Sequence, residues 1–233
     1  MKVYKNAKLF TEEGFIYGGF VVDGERFGPV FRQECEGEAA GCVTASARCL
    51  KKSDVAGQEV SDLQEVMTLQ DVMDPKDFMG LQDAIDLQGA TVIPGLVDVH
   101  IHGAADADFS DGEIEGLRRM AAWLAGRGVT SFAPASMTLP YDVLAAAYQT
   151  GKELHEHRGL EEARLMGIHM EGPFFSEKKK GAQNAAYLRL PDYEAFQALY
   201  DGCGGLIRIA DVAAELEGAE AFAGKAGKYC TVS

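Results

Sequence analysis

The chain has 233 residues, 47% of them hydrophobic, and a formal net charge of −14. Its length and apolar content suit one large or two small globular domains. So acidic a surface argues against nucleic acid or an anionic membrane as a general partner.

No apolar run is long enough to span a membrane, and the first residues lack the apolar stretch of a signal peptide. The five cysteines include no Cys-x-x-Cys pair. They read as free thiols in a reducing cytoplasm, not as a disulfide or zinc framework.

Residues 1–23 read as short strands. Lys2 to Phe10 alternates, Thr11-Glu-Glu-Gly turns, Phe15 to Val22 returns, and Asp23-Gly24 turns again. Residues 28–80 are rich in Glu, Gln, Asp, Ala, Ser and Cys and have weak periodicity. They are expected to be an irregular insertion, with a helical patch near residues 60–72. Strand-like alternation resumes at Ala84. The first unit is therefore placed at residues 1–90.

Residues 92–103, Val-Ile-Pro-Gly-Leu-Val-Asp-Val-His-Ile-His-Gly, organise the remainder. On a strand, Asp98, His100 and His102 project to one face while Val97, Val99 and Ile101 project to the other. Two imidazoles two residues apart at a strand end can serve one metal. Asp98, lower on the same face, is expected to orient an imidazole. Gly103 lets the backbone turn without a Cβ clash.

From there the hydrophobic period changes repeatedly from two to 3.6 and back. Helices are predicted over residues 112–127, 141–157, 192–200 and 214–226. Strands are predicted over residues 129–136, 163–173 and 206–212, with a fifth strand beginning at Lys228. Such alternation implies βαβ units on a parallel sheet. Residues 91–233 read as the first four to five units of a (β/α)8 TIM-type barrel, with the chemistry at the C-terminal ends of the strands. A full barrel needs eight units, so the sequence is expected to be truncated.

The second informative stretch is Gly167-Ile-His-Met-Glu-Gly-Pro-Phe, followed by Lys179-Lys-Gly-Ala-Gln-Asn. Glu171 ends the third barrel strand, where a carboxylate can bind a divalent cation. His169, one layer deeper, reads as a hydrogen-bonded core histidine in preference to a ligand. The Lys178–Lys180 run reads as a solvated loop face in preference to a phosphate anchor.

Taken together, residues 93–103 and 167–184 resemble the N-terminal part of N-acetylglucosamine-6-phosphate deacetylases, of the metal-dependent amidohydrolase superfamily. Val212-Ala-Ala-Glu is similar to the family's Ala-Pro-Glu strand end, with Ala214 in the proline's place. The resemblance implies hydrolysis of the acetamide of N-acetylglucosamine 6-phosphate to glucosamine 6-phosphate and acetate, by a metal-activated water. It implies Glu171 as the principal metal ligand, with His100 and His102 as a further metal position. Ala182 and Gln183 would contact the sugar.

A divalent cation, zinc or iron, is implied as cofactor. The implied partners are an amino-sugar phosphate substrate and, at full length, a second copy in a homodimer, with no nucleic acid and no membrane. The family's catalytic aspartate and remaining ligands fall beyond Ser233, so this chain alone is expected to be inactive and conformationally unstable or oligomeric. Two alternatives stay open: another metal amidohydrolase (dihydroorotase-like or deaminase-like), or a non-catalytic half-barrel fragment.

Overall fold

The computed structural model describes residues 2–12, 14–24, 26–35, 45–49 and 84–233. The chain divides into two compact units, Met1–Pro94 and Gly95–Ser233.

Among the described residues, the first unit is a six-stranded sheet. Strand β1 (Lys2–Thr11) pairs antiparallel with β2 (Gly14–Asp23), β2 with β3 (Arg26–Cys35), and β3 with β4 (Ala45–Cys49). Two short strands, β5 (Ile85–Asp86) and β6 (Thr91–Val92), lie parallel to β1. Alternation along β1 buries Val3, Ala7 and Leu9. Ile16 and Phe20 of β2 join Ala7 and Leu9 in one small core. Tyr4 stacks on Phe20 with ring centroids 4.8 Å apart.

The irregular insertion expected from residue 28 is corrected here, because residues 26–35 and 45–49 are strand. The tight turn at Asp23-Gly24 delivers the following residues directly onto the free edge of β2. Backbone pairing then holds a sequence with little hydrophobic alternation. The helical patch expected near residues 60–72 lies outside the described residues, as does most of the rest of the expected insertion.

The second unit is α/β, with parallel strands β7 (Leu96–Ile101), β8 (Val129–Pro134) and β9 (Arg164–Leu165) in one sheet. A second parallel sheet holds β10 (Ile168–Phe174), β11 (Ile207–Val212) and β12 (Thr231–Val232). Between them run α1 (Ile114–Ala125), α2 (Tyr141–Glu156), α3 (Tyr193–Gly202) and α4 (Ala219–Ala226). The buried residues of α1, Leu117, Met120, Ala121 and Leu124, fall at helical spacing on one face. Those of α2 do the same, through Leu144, Ala147, Tyr148, Gly151 and Leu154. These faces meet Phe132, Leu165, Ile168 and Phe174 from the strands in a single core.

Two predicted strands are interrupted. Pro94-Gly95 separates β6 from β7, since proline cannot donate to a ladder. Residues 163–173 split at Met166-Gly167, where the chain leaves β8 and crosses to β11. A Cβ on Gly167 would come within 2.2 Å of the Arg208 side chain, so this close passage requires glycine. The last helix starts later than residue 214, because residues 213–219 make two successive turns before Gly218 caps it.

Backbone bonds past the end of β8 reach both sheets. Ala135 N–H donates to Ile101 O of β7 at 2.9 Å, and Ser136 N–H donates to His169 O of β10, in the other sheet, at 3.0 Å. The C-terminal ends of β7 and β8 therefore lie beside the first residues of β10, and the candidate site is built there. Among the described residues, no helix is long and apolar enough to cross a membrane.

Candidate metal centre at the strand ends

His100 and His102 leave the end of β7 with their rings edge to face, centroids 5.0 Å apart. Glu171 stands on β10, and its Oε2 lies 2.9 Å from His102 Nε2 and 3.5 Å from His100 Nε2. One ligand atom from each of the three residues lies within 4.8 Å of the others. Backbone fixes the approach on both sides. Gly103 passes so close to Ala107 O that a Cβ would sit 2.4 Å from it. Gly172 follows Glu171 at φ +82°, with its Cβ position 2.2 Å from Thr138 Oγ1.

The proton positions decide what this cluster can do. His102 Nδ1 lies 3.0 Å from the carbonyl of Ala135, which can only accept. Nδ1 therefore carries the proton, and a neutral His102 turns the Nε2 lone pair toward Glu171. Glu171 Oε2 is buried and, beside a neutral His102, has no hydrogen-bond partner despite the 2.9 Å approach.

Donor atoms arranged around one tetrahedral zinc are separated by roughly 3.3 Å, given bonds of about 2.0–2.1 Å. The separations of 2.9 and 3.5 Å fall on either side of that value. Nitrogen and carboxylate donors suit zinc or iron. The residues present fit a divalent cation.

A second layer lies behind His100. His169 is buried; its Nδ1 is 3.1 Å from His100 Nδ1 and 3.2 Å from Val99 O, and its Nε2 is 3.1 Å from Asp211 Oδ2. Burial works against charge on this ring. The hydrogen bond and charge of Asp211, the Val99 carbonyl and the charge of Glu171 together raise its pKa above the ordinary histidine value. His169 thus sits as a hydrogen-bonded core histidine.

Asp98 departs from expectation. Its Oδ1 accepts the His100 backbone N–H at 3.0 Å and orients no imidazole. A short side chain reaches the amide two residues on more readily than a ring beyond it. Sequence reasoning missed Asp211. The available signal was a carboxylate at the C-terminal end of an apolar strand, on the same face as Ile207 and Ile209.

The loop after β10 behaves differently. Ala182 is exposed, whereas Gln183 is buried, with Oε1 accepting the Thr138 N–H at 2.6 Å. Neither residue belongs to the His–Glu cluster. Lys178 and Lys179 are exposed, and Lys180 Nζ donates to Gln183 O at 2.8 Å. Cys203 and Cys230 are free thiols, and burial raises the pKa of both. The side chains of Cys35, Cys42 and Cys49 lie outside the description.

No family model matches the chain. Among curated proteins, the N-acetylglucosamine-6-phosphate deacetylase of Bacillus subtilis is 37% identical over 126 residues, covering 53% of this chain and 32% of that protein. The human deacetylase of the same name is 36% identical over 129 residues, 53% of this chain and 31% of its own length. An Escherichia coli O157:H7 protein named N-acetylgalactosamine-6-phosphate deacetylase is 30% identical over 126 residues, 54% of this chain and 33% of its own length.

The chain is similar to part of an N-acetylglucosamine-6-phosphate deacetylase. The solved deacetylase from Mycobacterium smegmatis matches all of this chain and 50% of its own, with a TM-score of 0.69 and 20% identity. That from Pasteurella multocida matches 99% of this chain and 49% of its own, with a TM-score of 0.68 and 23% identity. At such identities the likeness is one of fold. The chain spans about half the length of these solved structures, and its alignments cover about a third of the curated relatives. The resemblance read from the two sequence stretches is borne out.

Proposed function

We propose that this chain carries the metal-holding portion of an amino-sugar-phosphate deacetylase that converts N-acetylglucosamine 6-phosphate to glucosamine 6-phosphate and acetate. The observation that carries the proposal is the convergence of His100, His102 and Glu171 around an unpaired, buried carboxylate oxygen. That convergence lies in a chain similar to deacetylases of that name. In this reading the second unit is about the first half of a (β/α)8 barrel, residues 1–90 are a separate β-unit, and the protein is cytoplasmic.

Glu171, His100 and His102 would hold a divalent cation, zinc or iron. When bound, it supplies Lewis acidity toward the acetamide carbonyl and lowers the pKa of water. The chain's own residues prepare the position. Ala135 O fixes the His102 tautomer, burial keeps bulk water from Glu171 Oε2, and Gln183 fastens the loop after β10 to the end of β8. Exposed Ala182 would then offer that loop to the sugar. Hydrolysis of the acetamide consumes one water and leaves a free amine and acetate.

The test is acetate release from N-acetylglucosamine 6-phosphate, with the galactosamine isomer as comparator. The samples are the chain and the longest product of its reading frame, each loaded with zinc or ferrous iron. Metal-dependent release that prefers the glucosamine isomer supports the proposal. A fully metal-loaded longest product of the reading frame that releases acetate from neither isomer overturns it.

A further inference from the structure

We propose that Lys180 binds the phosphate of the substrate, through an ammonium group that its own loop already holds in place. The proposal rests on the deacetylase reading above and adds to it the residue that recognises the phosphate. A chain of formal net charge −14 repels a phosphate monoester at long range. Binding such a substrate therefore requires a positive charge fixed locally, where the sugar lies.

The three consecutive lysines after β10 are not alike. Lys178 and Lys179 are exposed, as a solvated loop face would be. Lys180 is partly buried, and its Nζ donates to Gln183 O at 2.8 Å and to Gly181 O at 3.4 Å. An ammonium carries three donors and no acceptor, so one N–H stays free. Among the described residues, no carboxylate pairs with this charge.

The turn that holds the ammonium is itself tied to the strand ends. Gln183 N–H donates to Lys180 O at 3.1 Å, which closes residues 180–183. Gln183 is buried, and its Oε1 accepts the N–H of Thr138, just past β8. Thr138 Oγ1 lies 2.2 Å from the Cβ position of Gly172, the residue after Glu171. Lys180 therefore stands at the same end of the strands as the metal ligands, on a turn that also exposes Ala182. The acetamide and the phosphate leave opposite sides of the sugar ring. The group that holds the phosphate must then stand apart from the metal, as a loop residue does. A free lysine loses much side-chain entropy when it grips an anion. Lys180 has already given up part of it to two carbonyls, so less is lost on binding.

The experiment compares wild type, Lys180→Met and Lys178→Met in the zinc-loaded longest product of the reading frame. Acetate release is followed from N-acetylglucosamine 6-phosphate and from N-acetylglucosamine, which lacks the phosphate. Inhibition by glucosamine 6-phosphate and by glucosamine supplies the same comparison if the neutral sugar turns over too slowly. Lys180→Met is expected to raise KM for the phosphorylated sugar about 10- to 100-fold, the worth of a hydrogen bond to a charged group. It should leave kcat and the handling of the neutral sugar nearly unchanged. Lys180→Arg, which keeps the charge, should lose less than Lys180→Met, and Lys178→Met should change little. Should Lys180→Met fail to fold, Lys180→Gln removes the charge while keeping an N–H for the loop carbonyls. Equal losses on phosphorylated and neutral sugars mean a structural role and overturn the proposal. So does a Lys178→Met effect as large as that of Lys180→Met, which would be a general field. Zinc-loaded wild type that neither hydrolyses nor binds the phosphorylated sugar overturns the deacetylase reading and this proposal together.

Discussion

Replacing Glu171 with glutamine should reverse the order of stability between wild type and variant, depending on whether metal is present. In the metal-free protein, Glu171 Oε2 is buried, lacks a hydrogen-bond partner and lies 2.9 Å from His102 Nε2. In a neutral His102 that nitrogen is an acceptor, because Nδ1–H is committed to Ala135 O. Two lone pairs then face each other, with the carboxylate oxygen itself buried. A buried polar group left unpaired costs about 1–3 kcal/mol, and a charged one more. Glutamine keeps the shape, removes the charge and can turn an N–H toward His102. Metal-free Glu171→Gln is therefore expected to be more stable than wild type by about 1–3 kcal/mol.

Zinc should invert this. A ligand present at about 100 times its Kd stabilises the folded state by about 2.7 kcal/mol. Wild type gains that increment, and a variant without the charged donor does not. The assay is urea unfolding with chelator and with zinc. The probe is the fluorescence of Trp123, the chain's single tryptophan, which lies in α1 of the same compact unit as Glu171. The reasoning is refuted if the variant is the less stable protein in chelator, or if zinc stabilises both proteins equally.

Phe174→Ala should cost about 3–5 kcal/mol of unfolding free energy, since Phe174 is fully buried with its ring centroid 4.9 Å from that of Phe222; the urea midpoint checks this. Gln183→Ala should cost about 1–3 kcal/mol by the same assay, because it leaves the buried Thr138 N–H without its 2.6 Å acceptor. Stability should fall as pH rises above the ordinary tyrosine pKa of about 10. Burial, only partly offset by the Ser136 hydroxyl 2.9 Å away, pushes the Tyr148 phenol well above that value in the folded protein. The unfolded chain therefore loses this proton first, and each further rise in pH favours unfolding. Tyr148→Phe should flatten that alkaline decline in a pH series of urea midpoints, and an unchanged slope would count against the assignment.

The fold was legible wherever burial imposes a period. The predicted helices 112–127 and 141–157 are α1 and α2, whose buried apolar residues fall at helical spacing, because a helix on a sheet must hide one side. The second unit's strands were legible from their apolar runs and not from a burial period, since β10 is buried on both faces while β7 is largely exposed. Strands β3 and β4 were not, since they are held by ladder bonds, β3 to β2 and β4 to β3, and every residue except proline can donate those. His100, His102 and Glu171 stood out because charged or titratable groups at the ends of apolar strands are costly unless they serve something. Asp211 met that criterion and was passed over, as its partner His169 is 42 residues away and only strand pairing joins them. The inward turn of Gln183 was equally hidden, because the buried amide it satisfies lies 45 residues earlier.

The tolerance of the site explains why backbone bonds matter to it more than any one side chain does. A strand rises about 3.3 Å per residue, and successive side chains point to opposite faces. A one-residue slip of β10 against β8 would carry Glu171 to the far side of the sheet. A two-residue slip would keep the face but shift the carboxylate by about 6.6 Å along the strand. That shift exceeds the 4.8 Å within which all three ligand atoms now lie. Neither displacement leaves a metal position. The register is held where β7 and β8 end and β10 begins, by Ala135 N–H on Ile101 O and Ser136 N–H on His169 O. The same Ala135 that takes part in this stitching also accepts from His102 Nδ1. One residue at the end of β8 therefore sets both the height of the histidine pair and the tautomer of one of its rings.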